Sequence, residues 1–276
     1  GVQRLAGRRA IVRHLDAVET LGSATVIASD KTGTLTRNEM TVRAVVTASG
    51  RVSFGGSGYA PEGAVERADG GPLDGDLAVE LERALAAADR ANNAEVVERD
   101  GRWIVQGDPT EAALLVAARK AGLEATALES RLPRLREVPF SSERKLMSTV
   151  HRDLEAATVD GRAGRLIVFS KGAPDVVLAL CSRELVGRGS RSLSEERRSE
   201  ILRSIDRLAD QALRTIGVAM RELPDGVLDE AVESDLVFAG LIGMMDPPRA
   251  EARAAVERAR SECRGAARAN PVDTGF

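Results

Sequence analysis

Aromatic residues are scarce in this chain: five phenylalanines, one tyrosine and one tryptophan make up 3% of its 276 residues. Proteins that hold single-stranded nucleic acid stack bases on aromatic platforms set in a basic surface. Here the platforms are few and the net charge is −3, with acidic and basic residues interspersed, so no nucleic-acid partner is expected. Cysteine is nearly absent. Cys181 and Cys263 are too few and too far apart for a disulfide framework or a metal knuckle, so neither is expected to have a disulfide partner. Two histidines, His14 and His151, do not make a histidine metal centre. Long hydrophobic runs are missing too. The longest apolar stretch, residues 237–245, is under half of what a membrane helix needs, so the chain itself is expected to be soluble.

Lysine is the last scarcity. Only Lys31, Lys120, Lys145 and Lys171 stand among many arginines. An ammonium is a compact point charge and a guanidinium a planar fork, so the positions that keep lysine are informative. What the chain does have is the makeup of a globular protein, 43% hydrophobic and 29% charged, with length enough for two domains.

Residues 25–29 are an apolar run that ends at Asp30 and a glycine turn. They read as a buried strand with a carboxylate at its C-terminal end, the edge where open α/β sheets bind ligands. Residues 40–48 read as another strand and 54–71 as a glycine-rich loop. Leu77, Leu81, Ala84, Leu85 and Ala88 recur at helical spacing. Asp108-Pro109-Thr110-Glu111 opens a second helix that stops near Gly122. Three β-rich segments follow at 135–140, 145–151 and 166–170, and a turn at Asp160-Gly161 favours antiparallel pairing of the last two. Ser194 caps a third helix with an apolar face of Ile201, Ile205, Leu208 and Ala212. Residues 215–220 and 236–245 are strands, Pro247-Pro248 breaks the chain, and Ala252, Val256, Ala259 and Cys263 stripe a last helix. A lone strand, a mixed antiparallel block and a returning βα unit suggest one domain inserted into another.

The strongest signal is Asp30-Lys31-Thr32-Gly33-Thr34-Leu35-Thr36. A carboxylate at a strand end, followed by a turn of backbone N–H groups and hydroxyls, suits in-line attack on a γ-phosphate. The seven residues match at every position the phosphorylation signature of the P-type ATPases, and the chain resembles that family. The resemblance implies Asp30 as the nucleophile, Lys31 as a neutralising charge, and Mg²⁺ held with the help of Asp30 and Thr32. Thr32 also separates two enzyme classes. Phosphatases of the wider haloacid dehalogenase superfamily carry a second aspartate there as general acid–base, which a threonine cannot replace, so an aspartyl phosphate would persist.

Further stretches follow in the family's order: Gly56-Ser57-Gly58-Tyr59-Ala60-Pro61-Glu62-Gly63, Asn92-Asn93-Ala94, Gly107-Asp108-Pro109-Thr110-Glu111 and Phe140-Ser141-Ser142-Glu143-Arg144-Lys145. After them come Lys171-Gly172-Ala173-Pro174-Asp175, Leu213-Arg214 and Asp246-Pro247-Pro248-Arg249. By the family's pattern Phe140 stacks on adenine, Lys145 and Lys171 line the pocket, and Gly172 lets the base approach the backbone. Glu111 contacts the nucleotide or orders its neighbours, and Arg214 reaches the phosphates. Each has a plainer alternative. Phe140 alone reads as core, Glu111 as the end of a capping box begun at Asp108, and Arg214 as a surface arginine. Three of the four lysines nevertheless fall inside these motifs.

The resemblance therefore implies an α/β fold: part of a haloacid-dehalogenase-type phosphorylation domain with an inserted α+β nucleotide-binding domain built on an antiparallel sheet. Residues 1–38 would be a stalk remnant and the first part of the phosphorylation domain, 39–245 the nucleotide-binding domain, and 246–276 a hinge and truncated return. Asn38 to Met40 would be the first hinge strand. Ala28 stands where the family usually has cysteine. From about Arg264 the family pattern ends, and its later Thr-Gly-Asp and Gly-Asp-Gly segments are not found. That tail reads as a shifted reading frame, an artificial join or a genuine short form, and weak catalysis or none is expected from this chain alone. The expected ligands are ATP and Mg²⁺. The motif set looks most like the calcium-pump branch, so the expected partners are the membrane and actuator domains of a cation pump, with this portion on the cytoplasmic side.

Overall fold

The computed structural model describes residues 7, 26–155, 165–223 and 232–262. The chain divides into two compact units, one of residues 38–247 and one of residues 1–37 with 248–276.

The larger unit is organised by strands β1 (Thr41–Val46), β2 (Arg51–Phe54), β3 (Val65–Arg67), β4 (Glu95–Arg99), β5 (Arg102–Gln106) and β6 (Arg134–Ser141). They are followed by β7 (Leu146–Asp153), β8 (Arg165–Gly172), β9 (Cys181–Val186), β10 (Gly189–Ser192), β11 (Arg214–Leu223) and β12 (Leu236–Met245). Ten of these form one sheet whose main path runs β3-β2-β1-β12-β11-β8-β7-β6, while β4 and β5 pair separately. All pairings are antiparallel except β9 with β12.

Helices cover both faces. α1 (Gly75–Arg90) and α2 (Pro109–Lys120) share a core with the sheet: Leu81, Leu85, Ala88 and Leu114 pack with Phe169, Ile242 and Met244. Beyond α2 lies the short α3 (Ala125–Arg131). On the opposite face α4 (Pro174–Ala179) and α5 (Glu195–Ala209) supply Leu178, Ile201 and Leu208 to a second core with Leu146, Phe238 and Leu241. β12 feeds both cores, so its sequence Leu-Val-Phe-Ala-Gly-Leu-Ile-Gly-Met-Met is apolar throughout instead of alternating.

Local chemistry sets the helix ends. The Asp108 carboxylate accepts from the N–H groups of Thr110 (2.7 Å) and Glu111 (3.2 Å), and Pro109 fills the first position of α2. Gly122, at φ +85°, follows its last turn. Ser194 Oγ accepts from the Arg197 N–H at 3.2 Å and starts α5. Ile201 and Leu208 lie on the buried face of α5 as its spacing predicts. Ala212 does not: it is exposed beyond the helix end at φ +56°. The glycine-rich stretch 54–71 is not all loop, because β3 folds back on β2 within it. β7 and β8 pair antiparallel as expected, although Asp160-Gly161 lies outside the described residues.

The smaller unit corrects one expectation. Residues 26–30 form no strand among the described residues, and Val26 and Ile27 are 79% and 66% exposed. An apolar run becomes a buried strand only when neighbouring strands and covering helices exist, and the described part of this unit offers a single bridge, Thr36 with Pro248, and one helix, α6 (Ala250–Glu262). The haloacid-dehalogenase-type sheet is accordingly not seen among the described residues. In α6 the half-buried stripe is Ala252, Val256 and Ala259; Cys263 lies outside the described residues, as does residues 1–20 except Gly7. No helix among the described residues is long and apolar enough to cross a membrane.

Candidate functional site

Strand register brings the sequence-nominated residues of the larger unit to one end of its sheet. Gly172 at the end of β8 lies opposite Leu146 of β7 on one side and Gly217 of β11 on the other. The β6–β7 turn, with Phe140 before it and Lys145 closing it, therefore sits beside Lys171 and Gly172. Arg214 starts β11 opposite Met244, and Thr41 pairs with Met245, so this is also the end where the chain enters and leaves the unit.

Lys171 and Glu111 form the centre of this end. On β8 the side chains of Ile167, Phe169 and Lys171 alternate onto the face that carries α1 and α2. Lys171 is 7% exposed, and its ammonium lies 2.6 Å from Glu111 Oε1. The other carboxylate oxygen accepts from the Asn93 N–H at 3.0 Å. Asp108 thus caps α2, but Glu111 does not reach back to complete a capping box; its carboxylate is committed to Lys171 and Asn93. Burial pulls the Lys171 ammonium below the usual lysine range, and the Glu111 carboxylate opposes that pull.

Phe140 is not a core residue. It is 59% exposed on β6, the edge strand, next to a register break between Val138 and Ser141. Such a bulge re-aims side chains at a sheet edge. Lys145 is exposed and held at φ +52° by its N–H bond to the Ser141 carbonyl (2.7 Å). Its own carbonyl accepts from the Ala173 N–H at 2.9 Å. That carbonyl explains Gly172: a Cβ there would come within 2.3 Å of the Lys145 oxygen, so the glycine is required by the protein's own backbone. Arg214 is exposed, and among the described residues its side chain makes no hydrogen bond or ion pair.

Asp30, Lys31 and Thr32 belong to the smaller unit and are exposed. They open a tight turn, Lys31–Leu35, in which Gly33 takes φ +75°. Thr36, 2% exposed, staples the turn: its Oγ accepts from the Gly33 N–H and donates to the Lys31 carbonyl, each at 3.2 Å. Arg249 binds the same turn through its N–H to the Leu35 carbonyl (2.9 Å) and its guanidinium to the Gly33 carbonyl (3.0 Å). The sequence placed both residues in motifs but gave neither this task. Among the described residues no group of three or more His, Cys, Asp or Glu could hold a metal. The donors at Asp30 and Thr32 are hard oxygens on an exposed turn, which suits Mg²⁺, an ion that keeps most of its shell as water and substrate phosphate.

A cavity of about 640 Å³ also lies on the α1 face, toward the start of β8. It is lined by Phe169, Met220 and arginines including Arg83 and Arg188, and by none of the nominated residues.

Comparison with known proteins adds a consistent set of relatives. Residues 80–251 match the family model described as P-type ATPase, cytoplasmic domain N. The chain is 39% identical over 264 residues to the "Probable cation-transporting ATPase F" of Mycobacterium tuberculosis, covering 95% of this chain and 28% of that protein. It is 39% identical over 281 residues to the "Calcium-transporting ATPase" of Bacillus subtilis, covering 100% of this chain and 30% of the relative. The "Cation-transporting ATPase pma1" of Synechocystis is 41% identical over 264 residues, 93% of this chain and 28% of its own length. The chain thus spans less than a third of the length of these relatives.

Proposed function

The chain belongs to the P-type ATPase family, and from that premise we propose that it is the ATP-binding and phosphorylated portion of a cation-transporting pump. The observation that carries the reading is Phe140: a large aromatic side chain, 59% exposed, at the sheet end where Lys145, Lys171 and Gly172 converge. An aromatic face at the same sheet end as two lysines has the chemical outline of an adenine-nucleotide pocket. Stacking of the base on Phe140 contributes roughly 1–3 kcal/mol by analogy with other base–aromatic contacts. Glu111 orients Lys171 beside the base, and Arg214, unengaged by other side chains among the described residues, meets the phosphates.

Asp30 is the acceptor of the γ-phosphoryl group. A carboxylate oxygen of Asp30 bonds to the γ-phosphorus, the bond from that phosphorus to the bridging oxygen breaks, and ADP leaves with the electron pair. Lys31 stabilises the negative charge on the transferring group. Asp30 and Thr32 would hold Mg²⁺, which when bound supplies further charge neutralisation at the phosphates. Thr36 and Arg249 keep the turn in shape. Thr32 has no acid–base function, so the aspartyl phosphate persists long enough to drive a conformational cycle. In the whole protein that cycle engages membrane and actuator domains, with this portion on the cytoplasmic side. The relatives' names favour a cation, calcium among them, as the transported species.

One observation favours a second reading, in which this chain alone binds ATP without transferring phosphate. Residues 26–30, which should anchor Asp30, pair with no strand among the described residues. Incubation with Mg²⁺ and ATP labelled at the γ-phosphate, followed by acid quench, separates the two. Phosphoryl transfer predicts a hydroxylamine-sensitive label that is lost in Asp30→Asn. Absence of label with ATP binding intact supports the second reading, and absence of ATP binding overturns both.

A further inference from the structure

The loop that follows α1 has a task that the motifs leave unassigned. A helix ends with carbonyls that no later turn satisfies. At the end of α1 the Arg90 carbonyl accepts from Arg134 Nη2 at 3.0 Å and from Thr149 Oγ at 3.2 Å. The same Nη2 donates to the Asn92 carbonyl. Arg134 Nη1 donates to Asn93 Oδ1 at 2.6 Å and to Glu137 Oε2 at 3.2 Å. One guanidinium on β6 thereby grips three groups of the loop 90–93, the kind of multiple engagement its planar fork allows and an ammonium does not.

The loop in turn grips Glu111. Asn92 Nδ2 donates to the Glu111 main-chain carbonyl at 2.9 Å, and the Asn93 N–H donates to Glu111 Oε2 at 3.0 Å. Asn93 Nδ2 closes the ring by donating to Glu137 Oε1 at 2.8 Å. Asn92 is 5% exposed, and its Oδ1 accepts from the Ala94 N–H at 2.8 Å. Both terminal nitrogens of Arg134 and both side-chain amides have acceptors, so the arrangement is a paired network, not a cluster awaiting an ion. It runs from Arg134 through Asn93 and Glu111 to Lys171. Arg134 stands on the same strand as Phe140, so β6 carries both the aromatic face and the clamp that fixes the opposite wall.

We propose that Arg134 is a positioning residue of the nucleotide site: it holds the loop 90–93 so that the Asn93 N–H fixes the Glu111 carboxylate, and through it Lys171, in the orientation that receives ATP. This rests on the nucleotide-binding reading above. Arg134 touches neither the nucleotide nor the phosphoryl group; it acts through Glu111.

The test is an ATP titration by calorimetry on the full chain, combined with a double-mutant cycle. Arg134→Lys keeps the charge and loses the fork, and ATP affinity is expected to fall about tenfold, equivalent to about 1.4 kcal/mol. In a Glu111→Gln background the same substitution is expected to change affinity less than about twofold, because the group it positions is already lost. A purely structural role moves the thermal midpoint without this coupling. Asn93→Ala, which keeps the N–H but removes the side chain that Arg134 holds, should reproduce the loss and serves if Arg134→Lys does not fold. Equal losses in both backgrounds, or none in either variant, overturn the proposal while leaving the nucleotide site standing. Failure of the unsubstituted chain to bind ATP overturns the site itself, and the proposal with it.

Discussion

Lys171 and Glu111 meet at 2.6 Å between the end of β8 and the first turn of α2, and the lysine is the more deeply buried of the two. Their side chains are 8% and 18% exposed. An ion pair of this kind makes its two partners unequal under substitution.

Glu111→Gln should therefore cost more stability than Lys171→Met. The first leaves a buried ammonium facing a neutral amide, with an expected loss on the order of 1–3 kcal/mol. The second removes the buried charge and leaves a carboxylate that still has the Asn93 N–H and some access to water. Urea unfolding of both variants checks the order, and both should weaken ATP binding.

Gly172→Ala should destabilise the larger unit by about 1–3 kcal/mol, because the new methyl meets the Lys145 carbonyl at 2.3 Å and a backbone oxygen cannot swing away. Thermal melting reads the loss. A melting point equal to that of the unsubstituted chain would show that the β7–β8 end is looser than its hydrogen bond from Ala173 to Lys145 implies.

His151 gives the chain an acid-sensitive core. It is 1% exposed, Nδ1 lies 2.8 Å from the Leu132 carbonyl, and Nε2 has no hydrogen-bond partner among the described residues. Burial pushes its pKa down from 6.5 to about 4; the bond to the Leu132 carbonyl opposes that push, and the charges of Arg134 and Arg90 add to it. Between those values the unfolded chain binds a proton that the folded chain refuses. Stability is thus lost as pH falls from about 6.5 to about 4, on the order of 3 kcal/mol in all. Proton NMR is a direct check because the chain has only two histidines. The His151 ring signal should titrate near 4, and in His151→Phe the stability should depend less on pH over that window.

The helices and central strands were legible because their patterns are one-dimensional. Leu77, Leu81 and Leu85 repeat at helical spacing, Asp108 and Ser194 are caps in the sequence and in space, and the apolar run of β12 is long enough to be recognised. The β4–β5 hairpin and β10 were missed for the opposite reason. They are largely exposed: β4 buries only Val96, the apolar run Trp103-Ile104-Val105 of β5 does not alternate with polar residues, and every residue of β10 faces solvent, so no alternation of residue type marks them. In the candidate site, the family resemblance nominated Glu111, Lys171 and Phe140 where residue type alone read core or capping box, and only the structure shows that Phe140 is exposed and that Glu111 forgoes the capping box. Arg134 could not be found at all, since one arginine among many has no signal until its contacts with the loop 90–93 are seen. The run before Asp30 misled because an apolar pattern reports a tendency to be buried and not the presence of neighbours.

The central claim is that the exposed Phe140 face binds ATP, and calorimetric titration of the full chain with ATP, beside Phe140→Ala, tests it most directly. Because Phe140 packs little, its removal should leave stability within about 0.5 kcal/mol. Loss of the stacking contact should weaken ATP binding roughly 5- to 150-fold, corresponding to about 1–3 kcal/mol. An unchanged melting point with that loss of affinity is the predicted result. Equal affinity in the two proteins would place the nucleotide elsewhere and contradict the account.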